Sequence, residues 1–235
     1  SISTAKLIKE IKENNIKKVF YSTSKETHEI LKSKYNIDNE LIKFSFIDKV
    51  LITLDEISIF SKILKKLKYR NPIHQISENK KIDLFYFLGP SNLVKLIKNS
   101  ENSNFIINIW DINHRINTFF PEYKSIETYN LKEQIIEKSV RNSFKIIVNS
   151  QAALEDMINY YNCEKEKILI MPFRTPLPEV YKNKKKDYFN KIFKEFNFDE
   201  SKNIFFYPAQ FWAHKNHIYL FQSLKKLKYE NNNFI

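Results

Sequence analysis

The sequence has 235 residues, 43% of them hydrophobic, and its 39 lysines and arginines against 27 aspartates and glutamates give a formal net charge of +12. This composition excludes a disordered chain, and the length suffices for one large domain or two modest ones. The single cysteine, Cys163, excludes a disulfide framework and a cysteine-based metal site, and no apolar run approaches the ~20 residues needed to span a bilayer.

Short apolar runs alternate with amphipathic stretches along most of the chain. The predicted strands, in chain order, are residues 17–22, 41–46, 83–89, 105–111, 144–150 and 166–173. The predicted helices are residues 3–14, 24–35, 54–68, 91–99, 125–142 and 151–161. Ser24 and Ser150 precede or open two of these helices and are predicted as N-caps. Because the strands are continuous apolar runs, the pattern predicts an α/β fold with a Rossmann-like parallel sheet and helices on both faces.

After Pro172 the sequence becomes rich in proline and lysine, and a new strand–helix pattern then begins. The predicted elements here are a helix (184–196), a strand (203–210) and a helix (214–228). One strand–helix unit cannot bury both of its faces, so either it docks on the first domain or the chain is a fragment of a longer protein, and we expect the fragment. The predicted parts are an N-terminal Rossmann-like domain (1–172), a linker with a connecting helix (173–200) and the truncated start of a second Rossmann-like domain (201–235).

The positive charge comes from 35 lysines and only four arginines. Such a charge suits anionic partners, but nucleic-acid readers favour arginine, whose planar fork matches bases and phosphates. Nucleic acid is therefore not expected as a partner. The lysine-rich stretches 62–68 and 183–194 are either solvated helix faces or a surface for anionic lipid. A basic α/β binding module for anionic polymer or membrane, without catalysis, stays open as the alternative to an enzyme.

The chain contains one glycine, Gly89, where ordinary usage would give about sixteen. This excludes a Rossmann GxGxxG fingerprint and a P-loop, which both need several glycines. Any phosphate group must instead be held by helix N-termini, lysine, arginine and amide side chains.

A first cluster of polar residues follows a predicted strand in NIWDINHRINTFFPEY, residues 108–123. Ligands of parallel sheets bind at the carboxyl ends of the strands, where this segment is expected to lie. His114 and Arg115 together suit hydrogen bonds to a sugar hydroxyl or a phosphate. The alternative interpretation is an exposed loop in which Asp111 caps a helix.

A second cluster is YPAQFWAHKNH, residues 207–217, at the turn from a predicted strand to a predicted helix. Lys215 near a helix N-terminus makes a fair anion site. His214 and His217, with His114, have a spacing that permits a metal ion, but no acidic or cysteine ligand accompanies them, so no metal is expected. Ser150, which follows another strand, is either only a helix cap or also a ligand contact.

Three segments together resemble the group 1 (family 4) glycosyltransferases. YPAQFWAHKNH is similar to the segment that opens the second domain of those enzymes, and NIWDINHRINTFFPEY resembles their Trp-Asp-x-x-His-Arg…Phe-Pro-Glu loop. IIVNSQAALEDMINYYNCEKEKILIMPF, residues 146–173, resembles their strand–helix–strand near the domain junction. The resemblance covers residues 80–235 well and residues 1–80 only by pattern.

The resemblance implies a GT-B fold, with two Rossmann-like domains facing across a cleft. It implies transfer of a sugar from a nucleotide-diphosphate donor to an acceptor hydroxyl, on a saccharide or a lipid-linked glycan, with retention of configuration. No cofactor and no metal ion are expected. Residues 1–172 would form the acceptor-side domain, and residues 201–235 would begin the donor-binding domain. The cytoplasm and the inner face of the cytoplasmic membrane are the expected locations, with peripheral membrane contact left open.

The resemblance also implies roles for individual residues. Lys215 matches the family's diphosphate-contacting lysine, and Gln210 falls where many relatives carry an arginine for the same task. His114 matches a histidine near the transferred sugar, with hydrogen bonding as its expected role. His114 and Lys215 are thus the catalytic candidates, and the donor-binding candidates are Gln210, Lys215, Asn216, Arg115 and Ser150.

Two departures from the family pattern matter. Ala213 replaces the usual proline, and no two glutamates are eight positions apart, so the family's Glu-(any seven)-Glu motif is missing. Because that motif holds the donor, we expect the fragment by itself to be inactive.

Overall fold

The computed structural model describes residues 8–9, 16–55, 57–97, 104–172, 191, 193–198 and 205–230. The described residues fall into two units. The first contains the residues up to Ile112 together with Asn130–Pro172, and the second contains Asn113–Tyr129 together with the described residues from 191 onward.

The first unit is built on a sheet of four parallel strands in sequential order, β3–β4–β5–β6. These strands are Leu84–Phe87, Asn104–Asn108, Lys145–Val148 and Ile168–Ile170. A separate parallel pair is formed by two short strands, β1 (Tyr21–Ser22) and β2 (Glu40–Leu41). The order and direction of the strands are those of an α/β fold, in which helices flank the sheet.

Eight α-helices are described. They are α1 (Lys25–Ser33), α2 (Phe46–Asp55), α3 (Ser58–Lys66), α4 (Pro72–Lys80), α5 (Asn113–Ile116), α6 (Ile126–Asn142), α7 (Gln151–Tyr161) and α8 (His217–Glu230). Short 3-10 turns add Asn92–Leu96, Pro121–Tyr123, Lys165–Lys167 and Ala213–Lys215. No helix among the described residues combines the length and the hydropathy that crossing a membrane requires.

The two central strands, β4 and β5, lie in the core. Phe105 and Ile107 of β4, and Ile146 and Val148 of β5, are almost completely buried. Consecutive residues 146, 147 and 148 are all buried, although successive side chains of a strand point to opposite faces. Both faces of the sheet are therefore covered, which explains why these strands are continuous apolar runs in the sequence.

Several predicted elements are confirmed. Strands overlap each of the apolar runs predicted between residues 83 and 173, and α6 and α7 lie where helices were predicted. Both predicted serine caps are present. The Ser24 hydroxyl accepts a hydrogen bond from the Thr27 N–H at 3.1 Å, and the Ser150 hydroxyl accepts one from the Ala153 N–H at 3.2 Å.

The predicted helix 54–68 is confirmed over Ser58–Lys66 as α3, but the predicted strand 41–46 is wrong. The strand ends at Leu41, and a helix that the sequence analysis did not predict, α2, begins at Phe46. The cause is local capping. The Ser45 hydroxyl accepts a hydrogen bond from the Asp48 N–H at 3.0 Å, and the Asp48 carboxylate accepts one from the Ser45 N–H at 3.0 Å.

Other differences lie at α4 and at the ends of the chain. Helix α4 was not predicted, although Asn71 as N-cap and Pro72 at the first helical position signal its start. The predicted helix 91–99 is a 3-10 turn. Most of the predicted helices 3–14 and 184–196 lies outside the described residues.

The predicted strand 203–210 is not seen in its described part, residues 205–210. A strand exists only where a neighbour completes its ladder of hydrogen bonds, and no described strand pairs with this segment. The helix after it is confirmed as α8, which begins at His217.

Replacing Ile107 by alanine removes a side chain with no solvent exposure from the central strand β4. We expect the free energy of unfolding to fall by about 2–4 kcal/mol, because a cavity is left in a core covered on both faces. Ile126→Ala is the matched control: Ile126 is 76% exposed, and its loss should change the stability by less than about 0.5 kcal/mol. Denaturant titration measures both variants, and equal losses would contradict this account of the core.

Candidate functional site

The carboxyl ends of the four parallel strands lie at one edge of the sheet, where ligands of such sheets bind. Gly89 follows β3 at this edge, and Trp110 follows β4. A Cβ atom at position 89 would lie 3.0 Å from Cζ2 and 3.1 Å from Cη2 of the Trp110 indole. The lone glycine therefore allows the indole to lie directly against the backbone after β3.

Ser150 follows β5 at the same edge. Its hydroxyl is engaged as the N-cap of α7, and it also contacts the amide of Asn149 at 3.3 Å. The capping interpretation of Ser150 is thus confirmed, and a ligand contact would be additional to it.

The NIWDINHRINTFFPEY segment is divided between the two units: residues 108–112 belong to the first and residues 113–123 to the second. His114 lies on the short helix α5 with 1% of its surface exposed, and its ring meets that of Tyr129 edge-on at 5.5 Å. Arg115, next to it, is half-buried. Asp111 is exposed and belongs to the first unit. The imidazole and guanidinium groups are neighbours in sequence, but the imidazole is a core group.

The two polar segments singled out in the sequence are joined by one pair of residues, Glu122 and His214, which are 92 positions apart. The Glu122 Oε1 atom accepts a hydrogen bond from the His214 backbone N–H at 3.2 Å and also contacts the imidazole Nδ1. Because a carboxylate only accepts, Nδ1 carries the proton in this contact. The pair holds the turn Ala213–Lys215 to the Pro121–Tyr123 turn.

Aromatic rings complete the surroundings of His214. Its imidazole stacks on Tyr123 with the ring centroids 6.0 Å apart and the planes inclined by 28°. Phe120 and Trp212 meet it edge-on at 5.9 Å and 5.5 Å. With an aromatic side chain from each segment against it, the His214 ring is fixed in place.

The electrostatic consequence appears at Glu122. Burial by itself would raise the pKa of the Glu122 carboxyl. Hydrogen bonds from the His214 side chain and from backbone N–H groups outweigh burial and leave this pKa below its ordinary value. The carboxyl group is therefore held in its ionised form by the contact between the two segments.

Lys215 ends the turn that His214 fixes, two residues before α8 begins. Its side chain is exposed, whereas its carbonyl oxygen accepts a hydrogen bond from the Tyr207 hydroxyl at 3.1 Å. Asn216 then adopts a left-handed backbone with φ of 49°, and its side-chain oxygen caps α8 by accepting from the Tyr219 N–H at 3.2 Å. The ammonium group thus projects from a tightly bonded backbone next to a helix N-terminus.

The remaining members of this segment have separate environments. Gln210 is exposed, and its carbonyl accepts a hydrogen bond from the Trp212 N–H at 2.8 Å. His217 lies among the rings of Tyr207, Phe211 and Phe221, at centroid distances of 5.1, 4.4 and 6.3 Å. Within the described ranges no group of three or more histidine, cysteine, aspartate or glutamate side chains is arranged to hold a metal ion.

The structure brings together His214, Lys215 and Asn216 with Glu122, and it leaves His114 in a buried position. The sequence analysis named Glu122 only as part of the family-like loop and did not name Tyr207 as a support. The role of Glu122 could have been suspected from the sequence, since a carboxylate in a loop with several aromatic residues needs a hydrogen-bonding partner. The role of Tyr207 could not, because only the fold brings its hydroxyl to the carbonyl of residue 215.

Comparison with known proteins agrees with the fold. The chain is similar to the crystal structure of a glycosyltransferase from Rickettsia africae ESF-5, with a TM-score of 0.60 and 17% sequence identity. The match covers 97% of this chain and 53% of the other, so this chain spans about half the length of that structure. The predicted Rossmann-like α/β fold is confirmed, and it is glycosyltransferase-like. No family model matches the sequence, and no curated protein is significantly similar to it.

Gly89→Ala tests the close approach of Trp110. We expect the free energy of unfolding to fall by about 1 kcal/mol, which is the lower end of the range for overpacked sites. The loss is small because the Trp110 indole is 40% exposed and can shift outward. Combining Gly89→Ala with Trp110→Phe, which removes the two contacted atoms, should abolish the additional loss. Denaturant titration of the four proteins measures the coupling, and purely additive effects would refute the contact.

Glu122→Gln tests the contact between the two segments. Because the pKa of Glu122 is lowered in the folded chain, its stabilising effect is present above the ordinary glutamate pKa and disappears as the pH falls through the lowered value. Between about pH 3 and pH 6, wild type should therefore melt at a higher temperature than Glu122→Gln near pH 6, and the two melting temperatures should approach each other at the acid end. Glu127→Gln, at an exposed position in the first turn of α6, is the control and should follow wild type throughout.

Proposed function

We propose that this chain is part of a retaining glycosyltransferase of the GT-B type, related to the group 1 (family 4) enzymes. The complete protein would transfer a sugar from a nucleotide-diphosphate donor to a hydroxyl of a saccharide or lipid-linked glycan. The likeness in fold supports a transferase of this kind, since it extends over 97% of the chain.

The observation that carries the proposal is the contact between Glu122 and His214. The two segments that resemble family 4 enzymes most closely are far apart in the sequence, yet they meet through this pair. A chance resemblance of two separate segments gives no reason for them to be neighbours. If both segments belong to one functional site, they must lie close together in the folded chain, and this contact agrees with that requirement.

Lys215 has the central role in the proposed chemistry. Breaking the bond between the sugar and the diphosphate leaves negative charge on the departing nucleotide, and a cation in fixed position stabilises that charge as it develops. The backbone of Lys215 is fixed through Tyr207 and through its neighbour His214, while the side chain is exposed. In this proposal no metal ion and no cofactor take part, and the donor is a substrate.

Further donor contacts are proposed from the resemblance. Asn216 and the adjoining helix N-terminus suit phosphate oxygens, and Gln210 supplies a neutral amide. Arg115 and Ser150 are proposed as further donor contacts. His114 is proposed to hydrogen-bond the transferred sugar, and because its ring is 1% exposed, that role requires side chains over it to move when donor binds.

The proposed organisation follows the same scheme. Residues 1–172 would form the acceptor-side domain, residues 173–200 the linker with its helix, and residues 201–235 the beginning of the donor-binding domain. We propose that the enzyme works in the cytoplasm or at the inner face of the cytoplasmic membrane, where nucleotide sugars are available.

Lys215→Ala in the complete natural protein tests the proposal. We expect sugar transfer from a panel of nucleotide-diphosphate sugars to fall on the order of 100-fold or more, because the leaving group loses its cation. Lys226→Ala, at an exposed lysine of α8, is the matched control and should keep full turnover. Circular dichroism checks that both variants are folded, and NMR of the product anomer reads out retention.

Contrary results have distinct meanings. Turnover unaffected by Lys215→Ala would remove that residue from the site. Absence of turnover and of donor binding across the whole panel, with salt-sensitive binding to an anionic polymer, would instead support a binding module without catalysis.

A further inference from the structure

Helices α2 and α3, with the residues that flank them, expose an unusual amount of apolar surface. Eight large hydrophobic side chains here are exposed by 40% or more: Phe46, Ile47, Val50, Ile57, Ile59, Phe60, Ile63 and Leu67. Single exposed hydrophobics are normal on any protein, but a contiguous set marks an interaction surface. We call this set and the lysines beside it the lysine–isoleucine face.

The spacing along α3 shows how this face is organised. Ile59, Ile63 and Leu67 follow one another every four residues and form one apolar stripe. Lys62 and Lys66, also four residues apart and exposed, lie along the edge of that stripe. Leu64, about 100° around the helix from Ile63, is 7% exposed and packs inward. The helix therefore has one side that packs inward and a second, apolar side bordered by cations.

Helix α2 has a similar pattern. Phe46 and Val50 share one side of the helix, with the exposed Lys49 beside them. Helix α2 also carries two aspartates, Asp48 and Asp55. The Asp48 carboxylate accepts hydrogen bonds from Ser45 and, at 3.4 Å, from the Tyr69 hydroxyl, and these bonds favour its charged form.

The charge of the face is positive. Its exposed lysines form no ion pair with any carboxylate in the described part of the chain; they are Lys43, Lys49, Lys62, Lys66 and Lys68. Helix α1 provides a contrast within the same unit. Its exposed positions include Lys25 and Lys32, but its one fully buried apolar residue is Leu31 and no large hydrophobic side chain on it is exposed.

The mixture of groups points to lipid more than to protein. Lysine is depleted in protein–protein contacts, and a two-fold contact between copies would bring these unpaired cations against each other. An anionic bilayer satisfies both features at once. Its acyl boundary takes up isoleucine, leucine and phenylalanine, and its headgroups attract lysines that border them.

We propose that the lysine–isoleucine face lies flat on the surface of an anionic lipid bilayer. The apolar side chains of α2 and α3 enter the boundary between headgroups and acyl chains, and the lysines contact the headgroup phosphates. This attachment is peripheral and does not depend on the proposed catalytic function. It concerns the first unit only, and catalysis is not needed to observe it.

The test is flotation of the 235-residue chain with two kinds of vesicle, phosphatidylcholine alone and phosphatidylcholine mixed with phosphatidylglycerol. We expect binding to the anionic vesicles only, weakened by salt. Lys62→Gln with Lys66→Gln should weaken it on the order of tenfold or more, because each lysine near an anionic surface adds to the attraction. Ile59→Ser with Ile63→Ser should weaken it at least as strongly, without the salt dependence changing.

Lys25→Gln with Lys32→Gln is the matched control, since it removes the same charge from α1. This variant should bind within about twofold of wild type, apart from the long-range effect of net charge. Equal losses in the α1 and α3 lysine variants would overturn the proposal in favour of a general charge effect. It would also be overturned if no vesicles bind, or if the isoleucine variant abolishes a dimer of the free chain and leaves lipid binding intact.

Discussion

Burial of β4 and β5 on both faces is the constraint from which the rest of the first unit follows. Ile107, Ile146 and Val148 have at most 1% of their surface exposed, so helices must cover the sheet on each side. Parallel neighbours require a crossover after every strand. Helices α6 and α7 lie in the crossovers that lead to β5 and β6, and the 3-10 turn Asn92–Leu96 lies in the one that leads to β4. All the carboxyl ends then lie at one edge, and the residues that follow the strands are gathered there whatever their identity. This constraint explains why three residues that follow different strands, Gly89, Trp110 and Ser150, lie at the same edge of the sheet.

The parts of the fold that could be predicted are those governed by local signals and by this double burial. Continuous apolar runs identified the four strands, and serine caps fixed the starts of α1 and α7. The prediction failed where a polar side chain changed the structure of an apolar segment. Ser45 and Asp48 cap a helix at the point where LIKFSF suggests a strand, and Asn71 with Pro72 was a comparable signal that was overlooked.

The candidate site was predictable in its location and less so in its contacts. Lys215 lies beside a helix N-terminus as the strand–helix pattern suggested. The partner of His214 was beyond sequence reasoning, because a carboxylate 92 positions away is brought to it only by the fold. The burial of His114 was equally hidden, since a histidine between aspartate and arginine has the local composition of an exposed loop.

The scarcity of glycine has a structural consequence that links composition to the site. Among the described residues, the left-handed backbone positions are taken by four asparagines and two lysines, with φ between 49° and 54°. Asparagine tolerates this conformation better than other residues with a Cβ atom, so turns and helix ends are formed without glycine. Gly89 has no positive φ; its special feature is the indole that a Cβ would meet. The one glycine is therefore found where space is required, and the turn at the candidate site is made by Asn216, whose side chain also caps α8. One residue thus both ends the turn that carries Lys215 and starts the helix behind it.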